Sequence, residues 1–95
     1  MGREDGRPVE QTVVIRNRYG LHARPAAEFV KMAGGFECDV WVRRDDTEVN
    51  GKSIMGVMML AAEPGAELTI RAEGADAEQA LQQLVALVRN GFGEE

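Results

Sequence analysis

The chain has 95 residues, of which 44% are hydrophobic and 28% are charged, a composition that fits one globular domain with a modest core. The formal net charge is −5, from 11 basic and 16 acidic residues, which argues against a nucleic-acid binder with a basic surface stripe. The longest apolar run, residues 54–62, is too short to span a bilayer, and the N-terminal residues have no apolar signal-peptide core. We therefore expect a cytoplasmic protein that does not insert into membranes.

The chain contains one cysteine and one histidine, which together make a poor set of metal ligands. Cys38 alternates with Phe36 and Val40, so we interpret it as a small core side chain rather than as a reactive thiol. A lone cysteine that cannot form an internal disulfide also fits a reducing compartment. We expect neither a metal ion nor a cofactor.

The N-terminal segment differs in composition from the rest of the chain. Residues 1–10 mix glycine, proline and charged side chains, and such a mixture buries little apolar surface. They predict a flexible tail, followed by a single domain over residues 11–95. Apolar residues that alternate with polar ones predict a first strand over residues 12–17.

A helix and a β-hairpin follow the first strand. Apolar residues on one face predict a helix over residues 23–33, and Gly34-Gly35 supplies the left-handed residue with which many helices end. Strict alternation predicts a half-buried strand over residues 36–42. A polar turn then leads to a short returning strand over residues 47–50.

A short helix, a fourth strand and a final helix complete the predicted domain. The stretch SIMGVMML favours a short helix, and the alternation of residues 68–72 predicts the fourth strand. Asp76 is expected to cap the final helix, with Gln79 completing a capping box. The order β-α-β-β-α-β-α predicts an α+β fold in which helices cover one face of a single sheet, with Trp41 on the opposite face.

The stretch YGLHARPAAEF holds the single histidine at the start of the first helix. His22 falls at the N-cap, and Pro25 is tolerated in the first turn because N–H groups there have no helical acceptor. The N–H groups of Ala23 and Arg24 and the helix dipole favour an anion, and Arg24 adds a guanidinium group. Since a neutral imidazole can act as a nucleophile, this pattern predicts phosphoryl capture on His22. The alternative is a histidine that merely caps the helix.

Three stretches in order, GLHARPAAEFVK, KSIMGVMML and AEGADAEQAL, resemble the histidine-containing phosphocarrier family, HPr, of the bacterial phosphoenolpyruvate:sugar phosphotransferase system. The resemblance covers about residues 11 to 90. It implies an open-faced β-sandwich, with a four-stranded antiparallel sheet covered on one face by three helices. It also implies a stoichiometric carrier rather than an enzyme, acting as a monomer.

The resemblance assigns roles to residues of the first helix. It implies that His22 accepts a phosphoryl group through Nδ1 from phosphorylated enzyme I, and that the group then passes to a sugar-permease component of the IIA type. Arg24 would stabilise the phosphoryl group in transit.

Ser53 precedes the predicted short helix, and a capping role alone would explain it. The resemblance implies instead a regulatory serine, modified by a kinase and a phosphorylase, whose added charge would oppose docking of an acidic partner. It also implies an interface for enzyme I and the IIA components. We expect this interface to comprise Ala27, Lys31, Lys52, Ile54, Met55 and Met58. A core position for Met58 and ordinary solvated surface for the two lysines remain open alternatives.

Two other functions are considered. The acidic ending NGFGEE also occurs in the nitrogen-regulatory branch of the family, although the intact KSIMGVM stretch favours the branch with a kinase-modified serine. A ligand- or RNA-binding sandwich would be expected to have a basic sheet face or paired aromatic residues, and only Trp41 is found there. The pairs Arg16/Arg18 and Arg43/Arg44 remain candidates for contacts with acidic proteins.

Overall fold

Four strands and three helices make up the part of the chain that the computed structural model describes, residues 7–94. The strands are β1 (Val9–Val14), β2 (Asp39–Arg44), β3 (Thr47–Asn50) and β4 (Glu67–Glu73). The helices are α1 (Ala23–Gly34), α2 (Ile54–Met59) and α3 (Ala77–Arg89), and a 3₁₀ turn follows over Gly91–Gly93. The element order is the predicted one.

The strands form one antiparallel sheet in the order β1-β4-β2-β3. β4 lies between β1 and β2, with Leu68 opposite Val13 and Ile70 opposite Val42. These four side chains are buried, and the alternation of each strand turns them toward the layer that contains α1 and α3. The helices bury their apolar faces against the same side, with Phe29 among the most deeply buried residues. The open-faced sandwich expected from the sequence is confirmed.

The other face of the sheet carries Trp41, as predicted. The Arg71 guanidinium lies 4.0 Å from the centre of the indole ring, a cation–π contact. The same guanidinium donates from Nη2 to Glu48 Oε1 at 3.1 Å. Trp41 is therefore half-buried, although it lies on the face of the sheet opposite to the helices of residues 7–94.

The first strand begins earlier than the sequence predicts. Strand β1 covers Val9–Val14 instead of residues 12–17, so residues 9 and 10 belong to the sheet rather than to the tail predicted for residues 1–10. The seven-residue strand β4 provides the partner for this extension, since Val9 lies opposite Ala72 and Glu10 opposite Arg71. Residues 1–6, the rest of the predicted tail, lie outside the described residues.

The end of α1 also differs from the prediction. Gly35 has φ −79° and ψ −7°, which is right-handed, so the expected left-handed ending is wrong. The helix tightens instead, with Gly35 N donating to Met32 O at 3.1 Å and Phe36 N donating to Ala33 O at 3.2 Å. These bonds satisfy the last carbonyl groups without a left-handed residue.

Asp76 occupies the N-cap of α3, but its side chain forms no bond with that helix, so the predicted capping box is wrong. Its carboxylate accepts hydrogen bonds from the backbone N–H groups of Glu37 and Cys38, both at 2.9 Å. The bond from Glu37 is the main reason why the pKa of Asp76 lies below its ordinary value. Cys38 is buried as predicted, and burial is the main cause that raises the pKa of its thiol to about 11.

Replacing Asp76 by Ala is expected to lower the free energy of unfolding by about 1–3 kcal/mol, because two backbone N–H groups lose their acceptor. Since the folded-state pKa is depressed, this stabilisation is complete above the unfolded pKa of about 4. It is lost as pH falls through the folded pKa. Denaturant unfolding of both proteins at about pH 7 and about pH 3 measures the difference.

Asp46→Ala is the matched control, because Asp46 is an exposed residue of the turn between β2 and β3. It should change the free energy of unfolding little at either pH. Equal stabilities of Asp76→Ala and the unmodified protein at pH 7 would contradict the role given to the Asp76 carboxylate.

Candidate functional site

His22 lies at the N-cap of α1, in the position that the sequence predicts. Its backbone is extended, with φ −81° and ψ −172°, and its carbonyl accepts the first helical bond from Ala26 N at 3.0 Å. The imidazole forms no capping bond, and its side chain is 40% exposed. The ring is therefore available to solvent and to another molecule, rather than serving as a cap.

The loop before His22 is fixed by Gly20. This glycine has φ +71°, and a Cβ atom there would lie 2.4 Å from the carbonyl oxygen of Ala62. The next residue, Leu21, donates its N–H to that same oxygen at 2.8 Å. Only glycine combines this conformation with this close approach, so the loop that presents His22 is fastened to the segment before β4.

Asn17 is the buried polar residue at the base of this loop, with 1% of its surface exposed. Its Nδ2 donates to the carbonyl of Gly20 at 2.7 Å and to Oε1 of Glu94 at 3.0 Å. Losing a buried hydrogen bond leaves unpaired polar groups and is therefore costly, so these bonds restrict where the loop can lie. Asn17 therefore links the histidine loop to a residue 77 positions later.

Glu94 reaches the site through a turn after α3. Gly91, Phe92 and Gly93 all have positive φ, at 62°, 58° and 75°, and the Phe92 ring is buried. This left-handed turn places Glu94 Oε1 at 3.3 Å from His22 Nε2. Sequence reasoning missed both Asn17 and Glu94. The available signal was the pair of glycines that flank Phe92 in the ending NGFGEE.

An open depression of about 580 Å³ surrounds the imidazole. The Tyr19 ring stands edge-on to His22 with the ring centres 6.3 Å apart, and Arg18 lies 5.3 Å from the centre of the tyrosine ring. Arg24 is exposed and also lines the depression, next to the N-terminus of α1. Two arginines and a helix N-terminus thus face the space beside His22, an arrangement that favours an anion.

Ser53 lies at the N-cap of α2, and its Oγ accepts a hydrogen bond from Gly56 N at 3.1 Å. The first turn of α2 exposes Ile54 and Met55, the latter to 75%. Met58 is exposed as well, which decides against a core position for it. Met59, which was not predicted, extends the same exposed apolar surface.

The predicted basic and small interface residues differ in their surroundings. Ala27 and Lys31 are exposed on α1, and α1 packs against α2. Lys52 is half-buried, because its Nζ donates to the carbonyl of Phe36 at 2.7 Å. The Lys52 ammonium is thus bonded to the loop after α1, whereas Lys31 is the more accessible cation.

Arg44 is not a solvated strand end. Its Nη1 donates to the carbonyls of Leu60 and Ala61, at 3.0 and 2.9 Å, and its Nη2 bonds Glu63 at 2.6 Å. The pKa of the Glu63 carboxyl lies below its ordinary value. The main cause is a hydrogen bond from its own backbone, and the bond from Arg44 is a further cause. Arg44 therefore holds the loop after α2 against β2 instead of being free for an acidic partner.

Comparison with known proteins places this geometry in a family. The family model described as "PTS HPr component phosphorylation site" matches residues 9–90, a span that includes the His22 loop and the Ser53 turn. The chain belongs to the HPr family. The phosphocarrier protein HPr of Neisseria meningitidis is 44% identical over 86 residues, which cover 90% of this chain and 97% of that protein.

Members of the HPr family carry more than one name. Phosphocarrier protein NPr of Escherichia coli is 38% identical over 88 residues, covering 92% of this chain and 98% of that protein. A crystal structure of HPr from Thermoanaerobacter tengcongensis superposes with a TM-score of 0.88 at 48% identity, covering 92% of this chain and 98% of that one. Both the Neisseria meningitidis and the Escherichia coli relatives are named phosphocarrier proteins.

Within residues 7–94 of this HPr-family chain, no cluster of three or more histidine, cysteine or acidic side chains is arranged to hold a metal ion. No helix in this part of the chain combines the length and the apolar character needed to cross a membrane.

Proposed function

We propose that this HPr-family chain carries a phosphoryl group on His22, taken from phosphorylated enzyme I and delivered to IIA components of the sugar phosphotransferase system. The observation that carries the proposal is the exposed imidazole at the N-terminus of α1, with Arg24 beside it. A solvent-facing nucleophile next to an anion-favouring helix end fits a group that must be loaded and unloaded by other proteins.

The transfer needs only positioning and charge stabilisation. The lone pair of His22 Nδ1 attacks phosphorus, and the bond from phosphorus to the donor atom on enzyme I breaks, with its electron pair returning to the donor. The dianionic phosphoryl group then lies near the first-turn N–H groups of Ala23 and Arg24. The Arg24 guanidinium can fork onto two phosphoryl oxygens in the product and in the transition state.

Both partners are proposed to dock on the exposed surface next to this site. Ile54, Met55 and Met58 present apolar side chains on α2. Ala27 and Lys31 continue the surface on α1, which packs against α2. Methionine side chains adapt to surfaces of different shape, which suits a monomeric carrier that meets several partners. Lys52 is proposed to add positive charge at the edge of this surface.

Ser53 is proposed as a regulatory site for a kinase and a phosphorylase. A phosphate there would meet the N-terminal end of α2 and would add about two negative charges beside Ile54 and Met55. The charge would oppose an acidic partner without requiring a change of fold.

A nitrogen-regulatory role is the second candidate, since the chain is similar to the NPr protein over nearly its whole length. Phosphorylation rates with a sugar-type and a nitrogen-type enzyme I would separate the two roles. A ligand- or RNA-binding sandwich has less support, because Arg71 occupies the face of Trp41 on which a base would stack.

The first prediction of this proposal concerns His22. Incubation with phosphoenolpyruvate and enzyme I should add one acid-labile phosphoryl group, measured by intact mass before and after acid treatment. His22→Ala should remove it completely, whereas the control Ser53→Ala should keep it. An acid-labile phosphoryl group on the His22→Ala protein would show that His22 is not the acceptor.

The second prediction of this proposal concerns Arg24. Arg24→Ala is expected to slow transfer in both directions roughly ten- to a hundredfold, because a charge-assisted contact is worth about 1.5–3 kcal/mol. Lysine should restore only part of the rate, since it lacks the planar fork. Rapid-quench kinetics measure both directions, and Arg16→Ala, outside the depression, is the control. Unchanged rates in Arg24→Ala would refute the role.

The third prediction of this proposal concerns Ser53. Ser53→Asp is expected to keep the melting temperature, because a carboxylate is favourable at a helix N-terminus. Its phosphorylation by enzyme I should be slower at low ionic strength and should recover at high ionic strength, where charges are screened. Ser53→Asn is the matched control, since it keeps a capping group without the charge. Equal rates for the Asp and Asn variants at low salt would contradict the switch.

A further inference from the structure

The carboxylate of Glu94 lies between Asn17 and His22, the side chains at the two ends of the loop before α1. Its Oε1 lies 3.0 Å from Asn17 Nδ2 and 3.3 Å from His22 Nε2. Asn17 is buried and also bonds the Gly20 carbonyl, so its amide nitrogen is fixed as a donor. An ionised carboxylate only accepts hydrogen bonds, so a bond between Glu94 and His22 requires the hydrogen to be on Nε2.

We propose that Glu94 is a positioning residue that keeps the hydrogen of the neutral His22 ring on Nε2 and thereby leaves the Nδ1 lone pair free for phosphorus. The inference rests on the proposed phosphoryl transfer and adds to it a residue outside the helix that carries the histidine. A neutral imidazole carries one N–H and one lone pair, and the partner of one nitrogen decides the state of the other. The same logic operates where a carboxylate orients a metal-bound or catalytic histidine.

The arrangement has a consequence for both directions of transfer. When Nδ1 forms its bond to phosphorus, the ring gains positive charge, and the hydrogen stays on Nε2 against the Glu94 carboxylate. When the group leaves, the electron pair of the N–P bond returns to Nδ1 and the ring is again the same neutral tautomer. No proton has to enter or leave the ring in either direction, so loading and unloading are chemically symmetrical.

The protein holds Glu94 in place by two independent means. One is the bond from the buried Asn17 amide. The other is the turn in which Gly91 and Gly93 have left-handed backbones and the Phe92 ring is buried. Since Glu94 keeps about a quarter of its side chain exposed, we expect a modest effect on rate rather than an essential role.

The test compares three variants by nitrogen-15 NMR of the His22 ring, at a pH where the ring is neutral, and by transfer kinetics with enzyme I. Glu94→Ala removes the acceptor and should raise the share of the Nδ1–H tautomer, with transfer slowed roughly two- to fivefold. Glu94→Gln keeps an oxygen acceptor and should largely restore the Nε2–H tautomer. Glu67→Ala removes an exposed carboxylate outside the depression and should change neither measurement.

The outcomes separate this inference from the function on which it rests. An unchanged tautomer ratio in Glu94→Ala would overturn the positioning role, whether or not His22 carries the phosphoryl group. A changed ratio with unchanged transfer rates would overturn its part in the reaction. Phosphorylation of the His22→Ala protein would instead refute the acceptor, and the tautomer measurement would still stand on its own.

Discussion

The hydrogen bonds of the Asn17 amide are the constraint on which the site depends. A buried amide that lost its partners would leave unpaired polar groups in the core, at a cost of about 1–3 kcal/mol for each. These partners are the Gly20 carbonyl, in the loop before α1, and the Glu94 carboxylate, in the segment after α3. Both accept hydrogen bonds from Asn17 Nδ2. The position of His22 is therefore tied to the segment that follows the last helix of the domain.

The buried and exposed faces of helix α1 have different roles. Its buried face, which includes Phe29 and Ala33, fixes the axis of the helix against the sheet layer. Its N-terminus and its exposed face are then held still at the surface, so the helix dipole and the first-turn N–H groups point to a fixed place. Preorganisation of this kind would require no rearrangement on arrival of a phosphoryl group, as the proposed carrier role requires.

Local patterns predicted most of the fold. Alternation indicated β1, β2 and β4, with the bounds of β1 and β2 a few residues off, and the polar turn indicated β3. The HARP stretch located His22 and the start of α1. Each of these signals is contained within a few neighbouring residues. The capping error at Asp76 and the two missed site residues concern long-range partners. Asp76 has the sequence context of a capping residue, but the N–H groups of Glu37 and Cys38 compete for its carboxylate from 39 and 38 positions away. Asn17 and Glu94 escaped notice for the same reason, since each looks like an ordinary loop residue until the fold brings them together.

The stacked pair on the open face of the sheet gives the protein a natural optical probe. Trp41 is the single tryptophan of the chain, and it lies on the side of the sheet opposite to the helices, in contact with Arg71. Unfolding would break the contact with the Arg71 guanidinium and expose the indole to water. The fluorescence emission of Trp41 would therefore report whether the sheet is folded. The transfer proposed for His22 would take place on the other side of the sheet and should leave that emission unchanged. Tryptophan fluorescence can therefore show whether a variant that fails in the proposed phosphoryl transfer has kept its fold.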